Sequence, residues 1–160
     1  MPQAQALRRL RETAFLRGFG LFKIPMLFFI SPTVVELDDH RCVVKVPLIR
    51  RTRNHLRSMY FGALAAGADC AGGLMAMRLI EKEGGGVSLI FKDFHAEFLK
   101  RAEGDVYFSN EQGEEIRALV KQAMESPERV NLPVQIVATV PTNGSEPVAR
   151  FTLTLSLKKK

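Results

Sequence analysis

The chain has 160 residues, a formal net charge of +6 and a pI near 9.6. Its 46% hydrophobic and 25% charged residues are typical of one globular domain and exclude a disordered or collagen-like chain. The positive charge favours anionic partners: nucleic acid, an anionic membrane or phosphorylated small molecules. Cys42 and Cys70 lie in apolar runs without CxxC or Cys/His spacing. This argues against a disulfide framework and a metal site, and it predicts a reducing, cytoplasmic location.

Residues 1–32 predict a helical lead-in to a domain that spans residues 33–160. The stretch FLRGFGLFKIPMLFFI is interrupted by Arg17, Lys23 and Pro25, and it lacks the apolar region and cleavage site of a signal peptide. An amphipathic helix followed by an apolar tether that packs on the domain fits this pattern better. The basic and apolar composition also leaves open peripheral contact with a membrane surface.

The domain itself reads as two strands, one long helix, two strands, a short helix and two strands. The long helix is predicted to begin at Ser58, which is a favoured N-cap residue, and to end near Lys82, before a run of three glycines. The strand after it changes its apolar phase near Lys92 and Asp93, which predicts a bulge. This order gives an α+β fold in which an antiparallel sheet of about six strands wraps around one central helix.

The long helix has an unusual composition. Between Arg57 and Arg78 its only charged side chain is Asp69, which lies among alanines, glycines and methionines. A central carboxylate argues against a membrane span. The residues that share its helix face are all Gly or Ala, so none of them pairs with the carboxylate: Gly62, Ala65, Ala66, Gly72, Gly73 and Ala76. The stripe predicts a groove that receives either a ligand or a second subunit, and the plain structural role, a carboxylate that anchors the helix, stays open.

The start of the same helix is the second candidate feature. Backbone N–H groups around Tyr60, Phe61 and Gly62 have no partner within the helix and suit an anion or a developing oxyanion. Asp69 lies about two turns further on, roughly 10 Å or more along the axis, which is too far to act on the same carbonyl group. A symmetric homodimer, or a dimer of dimers, would place one chain's carboxylate at the other chain's helix start.

The segment NHLRSMYFG (residues 54–62) and the pair Ala68-Asp69 resemble hotdog-fold acyl-CoA thioesterases of the phenylacetate-pathway type. The family pattern is N-x-x-G-[ST]-x-H-G-G, followed by an Ala-Asp or similar pair. Gly86-Val87-Ser88 and the segment FLKRAEGD (residues 98–105) continue the resemblance, which covers residues 33–110. The helix start FG-x-L-x-x-x-A-D is closest to a bacterial branch of these proteins.

The resemblance implies a hotdog fold and a role for each matched position. Asp69 would act as general base or nucleophile on a thioester carbonyl, and the Phe61 N–H would hold the carbonyl oxygen. Asn54 and Ser88 would support the site and position water or substrate, while Tyr60 and Gly62 would line it. Coenzyme A enters only as part of the substrate, so no separate cofactor is expected.

The departures from the pattern keep a second function open. Tyr60 and Phe61 stand where the family has His-Gly, and Arg57 stands where it has glycine. A non-catalytic acyl-CoA or fatty-acyl binding module would use the same groove. Arg53 and Arg57 belong to a basic cluster that suits coenzyme A phosphates, although a solvated connection has the same composition. Nucleic-acid binding is not expected, because the basic runs lack interleaved aromatic residues and a known motif.

Overall fold

A computed structural model describes residues 2–160 and shows one sheet around one long helix. The elements are α1 Pro2–Lys23, α2 Pro25–Phe29, β1 Thr33–Leu37, β2 Cys42–Val46, α3 Phe61–Lys82, β3 Val87–Phe98, β4 Val106–Asn110, α4 Gly113–Glu125, β5 Val130–Thr139 and β6 Pro147–Lys159. The six strands form an antiparallel sheet in the order β1-β2-β4-β5-β6-β3. This α+β arrangement is the hotdog fold, as the sequence predicted.

The core forms where the sheet meets α3. Phe108 of β4, Phe151 of β6 and Met75 of α3 are buried there. The Phe108 ring lies so close to Gly67 that a Cβ atom at that position would be 2.4 Å from it. Among the described helices, α3 alone is long and apolar enough to cross a membrane, but 72% of its most apolar window is buried inside the protein. Burial of that extent is typical of a core helix.

Strand β3 contains the predicted irregularity. Phe91 pairs with Leu155 and Phe94 pairs with Leu153, so Lys92 and Asp93 together stand opposite one residue of β6. This is a β-bulge, and it explains why the apolar residues change parity along the strand. The bulge prediction is confirmed.

The prediction that Ser58 caps the long helix is wrong. Helix α3 begins at Phe61, its N-cap is Tyr60, and the cap makes no side-chain hydrogen bond. Ser58 is instead buried in the preceding turn, where its hydroxyl accepts a hydrogen bond of 3.0 Å from the Asn54 amide. Ser and Thr favour caps on average, but here a side chain of the same turn, Asn54, satisfies the hydroxyl.

Polar contacts hold the lead-in against the domain. The Val34 N–H donates to Thr13 Oγ1 at 2.9 Å, and Arg17 Nε donates to the Pro32 carbonyl at 2.9 Å. Arg78 of α3 forms a largely buried ion pair with Glu12, with 2.6 Å between Nη2 and Oε2. On its outward side the lead-in exposes Phe22 and other apolar side chains. Membrane contact through that side and the domain boundary at residue 32 both stay predictions.

Two glycines of α3 offer a matched test of how closely the sheet packs on the helix. We expect Gly67→Ala to lower the free energy of unfolding by about 1–3 kcal/mol, because its new methyl group overlaps the Phe108 ring. At Gly72 the nearest atoms to an added Cβ are 3.7 Å away, so Gly72→Ala should be neutral or stabilising by up to about 1 kcal/mol. Urea unfolding of both variants measures the difference, and equal effects would contradict this account of the packing.

Candidate active site

Asp69 is a partly buried carboxylate without a partner. Among the described residues, no hydrogen bond or ion pair reaches its oxygen atoms. Burial disfavours the charged form and raises the pKa of Asp69 from 3.8 to about 6. Gly73, one turn further along α3, gives the carboxylate room, since a Cβ atom there would lie 3.3 Å from Asp69 Oδ1. A carboxylate held in this way is a stronger base than an exposed one.

The carboxylate lines a cavity of about 600 Å³. Strand β3 supplies one wall through Val87, Leu89 and Phe91, and α3 supplies another through Leu74 and Met77. The other polar side chains of the lining are few: the thiol of Cys70, the hydroxyl of Ser88 and the amine of Lys160. The site is therefore an apolar chamber with one acidic group, which suits an apolar ligand with a reactive or polar end.

Ser88 is the one further predicted catalytic residue that shares the chamber with Asp69. Its position near the start of β3 places it on the cavity wall, and its hydroxyl donates a 3.0 Å hydrogen bond to the Lys158 carbonyl of β6. That bond leaves the oxygen lone pairs of Ser88 free to accept a hydrogen bond from a ligand or water. The geometry is compatible with the positioning role implied by the resemblance.

Asn54 does not line the chamber and organises the turn before α3. Its Oδ1 accepts hydrogen bonds from the backbone N–H groups of Leu56 at 2.9 Å and Ser58 at 3.2 Å. Arg57 completes the turn in the left-handed conformation with φ of 64°, where the related pattern has glycine. This conformation favours glycine, so the arginine occupies it at some cost in strain. Within one chain, Asn54 supports the helix start rather than Asp69.

The start of α3 is covered by aromatic rings. Tyr60 folds over the first turn, since a Cβ atom at Gly62 would be 2.4 Å from its ring. The rings of Tyr60 and Phe61 are 4.7 Å apart, and Phe61 meets the Phe98 ring edge-on at 6.4 Å. The Phe61 N–H has no intrahelical acceptor, because it lies in the first turn. The Phe61 N–H is therefore a hydrogen-bond donor next to the exposed rings of Tyr60 and Phe61.

One chain does not bring the helix start to Asp69, because eight residues of helix separate them by about 12 Å. Strand β3, which lines the Asp69 chamber, is an edge of the sheet, and among the described strands it pairs only with β6. Its exposed side chains include Ile90, Phe94 and Phe98. A long apolar edge strand is a ready template for pairing with another strand.

Arg53 and Arg57 are exposed beside the helix start and form no ion pair within the described part of the chain. Neighbouring Arg51 lies over the Phe29 ring at 5.6 Å, so the basic cluster is in contact with the lead-in. Within residues 2–160, no three His, Cys, Asp or Glu side chains are arranged to hold a metal ion.

The lead-in contributes site residues that sequence reasoning missed. Leu16 and Phe19 of α1, together with Ile24 and Leu27 around α2, line the Asp69 chamber. Leu16 and Phe19 are three residues apart, as are Ile24 and Leu27, and this spacing indicates an apolar helix face. It does not show which part of the domain the face covers, so only the folded chain reveals that these side chains belong to the site.

The fold and the site together define a hotdog domain with an acidic group in an apolar chamber. A family model described as a domain of unknown function, DUF4442, matches residues 11–157. The chain belongs to this family. None of the curated proteins matches the sequence.

Solved structures show the same fold. A protein of unknown function from Chlorobaculum tepidum has a TM-score of 0.81 at 13% identity, with 92% of this chain and 94% of that chain covered. A protein of unknown function from Pseudomonas aeruginosa has a TM-score of 0.77 at 23% identity, with 92% and 96% covered. A thioesterase family protein from Silicibacter pomeroyi has a TM-score of 0.66 at 18% identity, with 93% and 99% covered. Identities this low show a shared fold.

Replacing Asp69 tests whether its burial opposes folding. The folded-state pKa of about 6 lies above the ordinary value of 3.8, so the folded protein binds this proton more tightly than the unfolded chain does. The contribution of Asp69 to stability is therefore most favourable below pH 4 and is lost as the pH rises through about 6. We expect Asp69→Asn to be more stable than the parent protein by about 1–3 kcal/mol at pH 8, and similar to it at pH 4.

Urea unfolding of both proteins across this pH range provides the measurement. Glu128→Gln is the matched control, because Glu128 is exposed and forms no ion pair within the described residues. Its stability difference from the parent protein should change little with pH. A loss of stability in Asp69→Asn at pH 8 would mean that the carboxylate has a stabilising partner.

Proposed function

We propose that this protein is a thioesterase that hydrolyses acyl-CoA or a related thioester, with Asp69 as its general base. The observation that carries the proposal is the unpartnered Asp69 carboxylate, which lies in an apolar chamber and has a pKa raised to about 6. The structural neighbour from Silicibacter pomeroyi, named a thioesterase family protein, supports the reaction class. The sequence resemblance supports the same class independently.

The chemistry needs a base, a water molecule and an oxyanion donor. Asp69 takes a proton from water while the water oxygen bonds to the thioester carbonyl carbon. A backbone N–H stabilises the negative charge that develops on the carbonyl oxygen. The C–S bond then breaks, and the proton passes from Asp69 to the leaving sulfur. The products are a carboxylic acid and a thiol, and Ser88 is suited to orient the water.

A homodimer, or a dimer of dimers, completes this site in the proposal. The Phe61 N–H and Asp69 of one chain are about 12 Å apart along α3, so they serve different sites. Pairing of two β3 edges would bury Ile90, Phe94 and Phe98, which one chain leaves exposed. A two-fold axis would then bring the helix start of each chain to the chamber of the other.

The basic cluster near the helix start would bind the substrate's phosphates. Eleven basic and four acidic side chains lie among the first 60 residues, so the net positive charge of the chain is concentrated there. Arg53 and Arg57 are exposed and free of ion pairs within the described residues. One guanidinium group can donate two parallel hydrogen bonds to the oxygens of one phosphate. In this proposal the protein acts on acyl-CoA in the cytoplasm. The two buried free thiols accord with a reducing compartment.

A second candidate function rests on the aromatic cover of the helix start. The Tyr60 ring lies against Gly62, next to the Phe61 N–H that is the proposed oxyanion donor. A protein that binds acyl-CoA without cleaving it could accept this obstruction, because binding needs no oxyanion donor. Tight binding without turnover over a full substrate series would favour this function.

The first functional test is hydrolysis of saturated acyl-CoAs from two to eighteen carbons. We expect the parent protein to release coenzyme A, and Asp69→Asn to be slower by about 10²–10⁴-fold, the range typical of a lost general base. Since only ionised Asp69 accepts a proton, kcat/KM should rise with pH through about 6 and stay level above it. Thiol release measured with a chromogenic disulfide reports the rate. Glu128→Gln should retain full activity, and a similarly active Asp69→Asn would refute the assignment.

The second functional test removes a single N–H group. Phe61 is the first residue of α3, where proline is tolerated, and Tyr60 already has the extended conformation that precedes proline (φ −65°, ψ 138°). Phe61→Pro should therefore fold but lose at least about 10²-fold in kcat, as expected for a missing oxyanion donor. Phe61→Ala removes the ring, keeps the N–H and controls for the side chain. Equal activity of the two variants would exclude the Phe61 N–H as the donor.

Mixing the inactive chains then tests the shared site. A hybrid of Asp69→Asn and Phe61→Pro chains has one intact site, formed by the carboxylate of one chain and the N–H of the other. After unfolding and refolding together at equal concentration, about a quarter of the parental activity should return. No recovery would show that each chain carries a complete site.

A further inference from the structure

We infer that the lead-in helices form the acyl-chain wall of the active site and select aliphatic acyl groups of roughly 8–16 carbons. This inference rests on the proposed function, because it names the substrate class of the same chamber. Phe19 of α1 and Ile24 before α2 are the side chains that set the upper limit of chain length.

The composition of the chamber defines the ligand class. Leu16, Phe19, Ile24 and Leu27 bring only hydrocarbon side chains to the lining, and the facing parts of α3 and β3 are also largely apolar. Away from the few polar groups of the lining, those of Asp69, Cys70, Ser88 and Lys160, a hydroxylated or charged acyl group would lose its hydration without regaining hydrogen bonds. An alkyl chain gains from burial along its length, so the chamber favours aliphatic thioesters.

The volume of the chamber sets the size range. One CH₂ group occupies about the volume of one liquid water molecule, roughly 30 Å³, so 600 Å³ corresponds to about 20 such groups. Ligands fill only part of a cavity of this kind, and the thioester group also needs space beside Asp69 and Ser88. Acyl groups of medium to long chain length therefore fit, and acetyl groups leave most of the chamber empty.

The wall is a fixed part of the fold. At the corner between α1 and α2, a Cβ atom on Gly20 would lie 2.7 Å from the Phe28 nitrogen, so the two helices are in close backbone contact. The Ile24 N–H donates to the Gly20 carbonyl at 3.0 Å and the Leu27 N–H donates to the Ile24 carbonyl at 2.9 Å. Together with the Glu12–Arg78 ion pair, these contacts hold the lining side chains in place over the chamber.

The lead-in provides matched control positions on its outer side. Phe19 is partly buried and lines the chamber, whereas Phe22 is 81% exposed and does not. Ile24 is 41% exposed but lines the chamber, whereas Met26 is 62% exposed and does not. Substitution of the inner and outer residue of each pair therefore separates an effect on the chamber from an effect on the stability or surface of the lead-in.

The experiment measures chain-length preference in four variants. For the parent protein, kcat/KM for saturated acyl-CoAs should rise by up to about fourfold per added CH₂ group until the chamber is full. Phe19→Ala should move the optimum to acyl chains about two to four carbons longer, and Ile24→Trp should move it to shorter chains. Phe22→Ala and Met26→Trp should leave the optimum where it is.

A binding measurement separates this inference from the proposed reaction. Calorimetric titration of the Asp69→Asn background with the same acyl-CoAs gives a chain-length profile that needs no turnover. If the parent protein hydrolyses nothing but the optimum for binding still shifts with Phe19→Ala, the proposed reaction fails and the lead-in wall stands.

Two results would overturn the inference. One is an identical chain-length profile for the inner and outer variants. The other is an affinity that does not increase beyond acyl chains of about four carbons, because a chamber filled by a segment of a second chain would leave no room for longer ones.

Discussion

Close contact between the curved sheet and α3 is the constraint on which the rest of the molecule depends. Gly67 lets the Phe108 ring reach the helix backbone, and buried alanines such as Ala68 and Ala71 keep other strands near. Since a helix with so few bulky side chains fills little space by itself, large residues of the sheet must complete the core, as Phe151 does. The fold therefore depends on the sheet supplying the core volume that the small side chains of α3 leave unfilled.

The same constraint produces the candidate site. Of the small residues that share a helix face with Asp69, Gly73 lines the chamber, and it leaves space for the carboxylate. A charged group in such a place lowers the stability of the folded protein at neutral pH, because burial raises its pKa and no cation of residues 2–160 forms an ion pair with it. Strain or unpaired charge that persists in a folded protein is commonly found at functional sites.

The lead-in is part of both the hydrophobic core and the chamber. The sequence predicted a helix followed by an apolar tether that packs on the domain. In the structure Leu16 and Leu27 belong to the core, and the ion pair between Glu12 and Arg78 joins the lead-in to the central helix. Its inner face closes the apolar part of the chamber, while its outer face stays exposed. The first 30 residues therefore bear on ligand selection and on packing at the same time.

The sequence by itself determined the order of elements, the bulge in β3 and the isolation of Asp69, because periodicity and helix-face neighbours are local properties of the chain. It misplaced the start of α3, since Ser58 finds its partner in Asn54 and not in the helix. The resemblance implied that Ser88 belongs to the Asp69 site, and the folded chain brings both residues to one chamber, but only the tertiary structure decided that Phe19 closes it. These contacts join residues far apart in the chain, and no local pattern encodes which apolar face covers which groove.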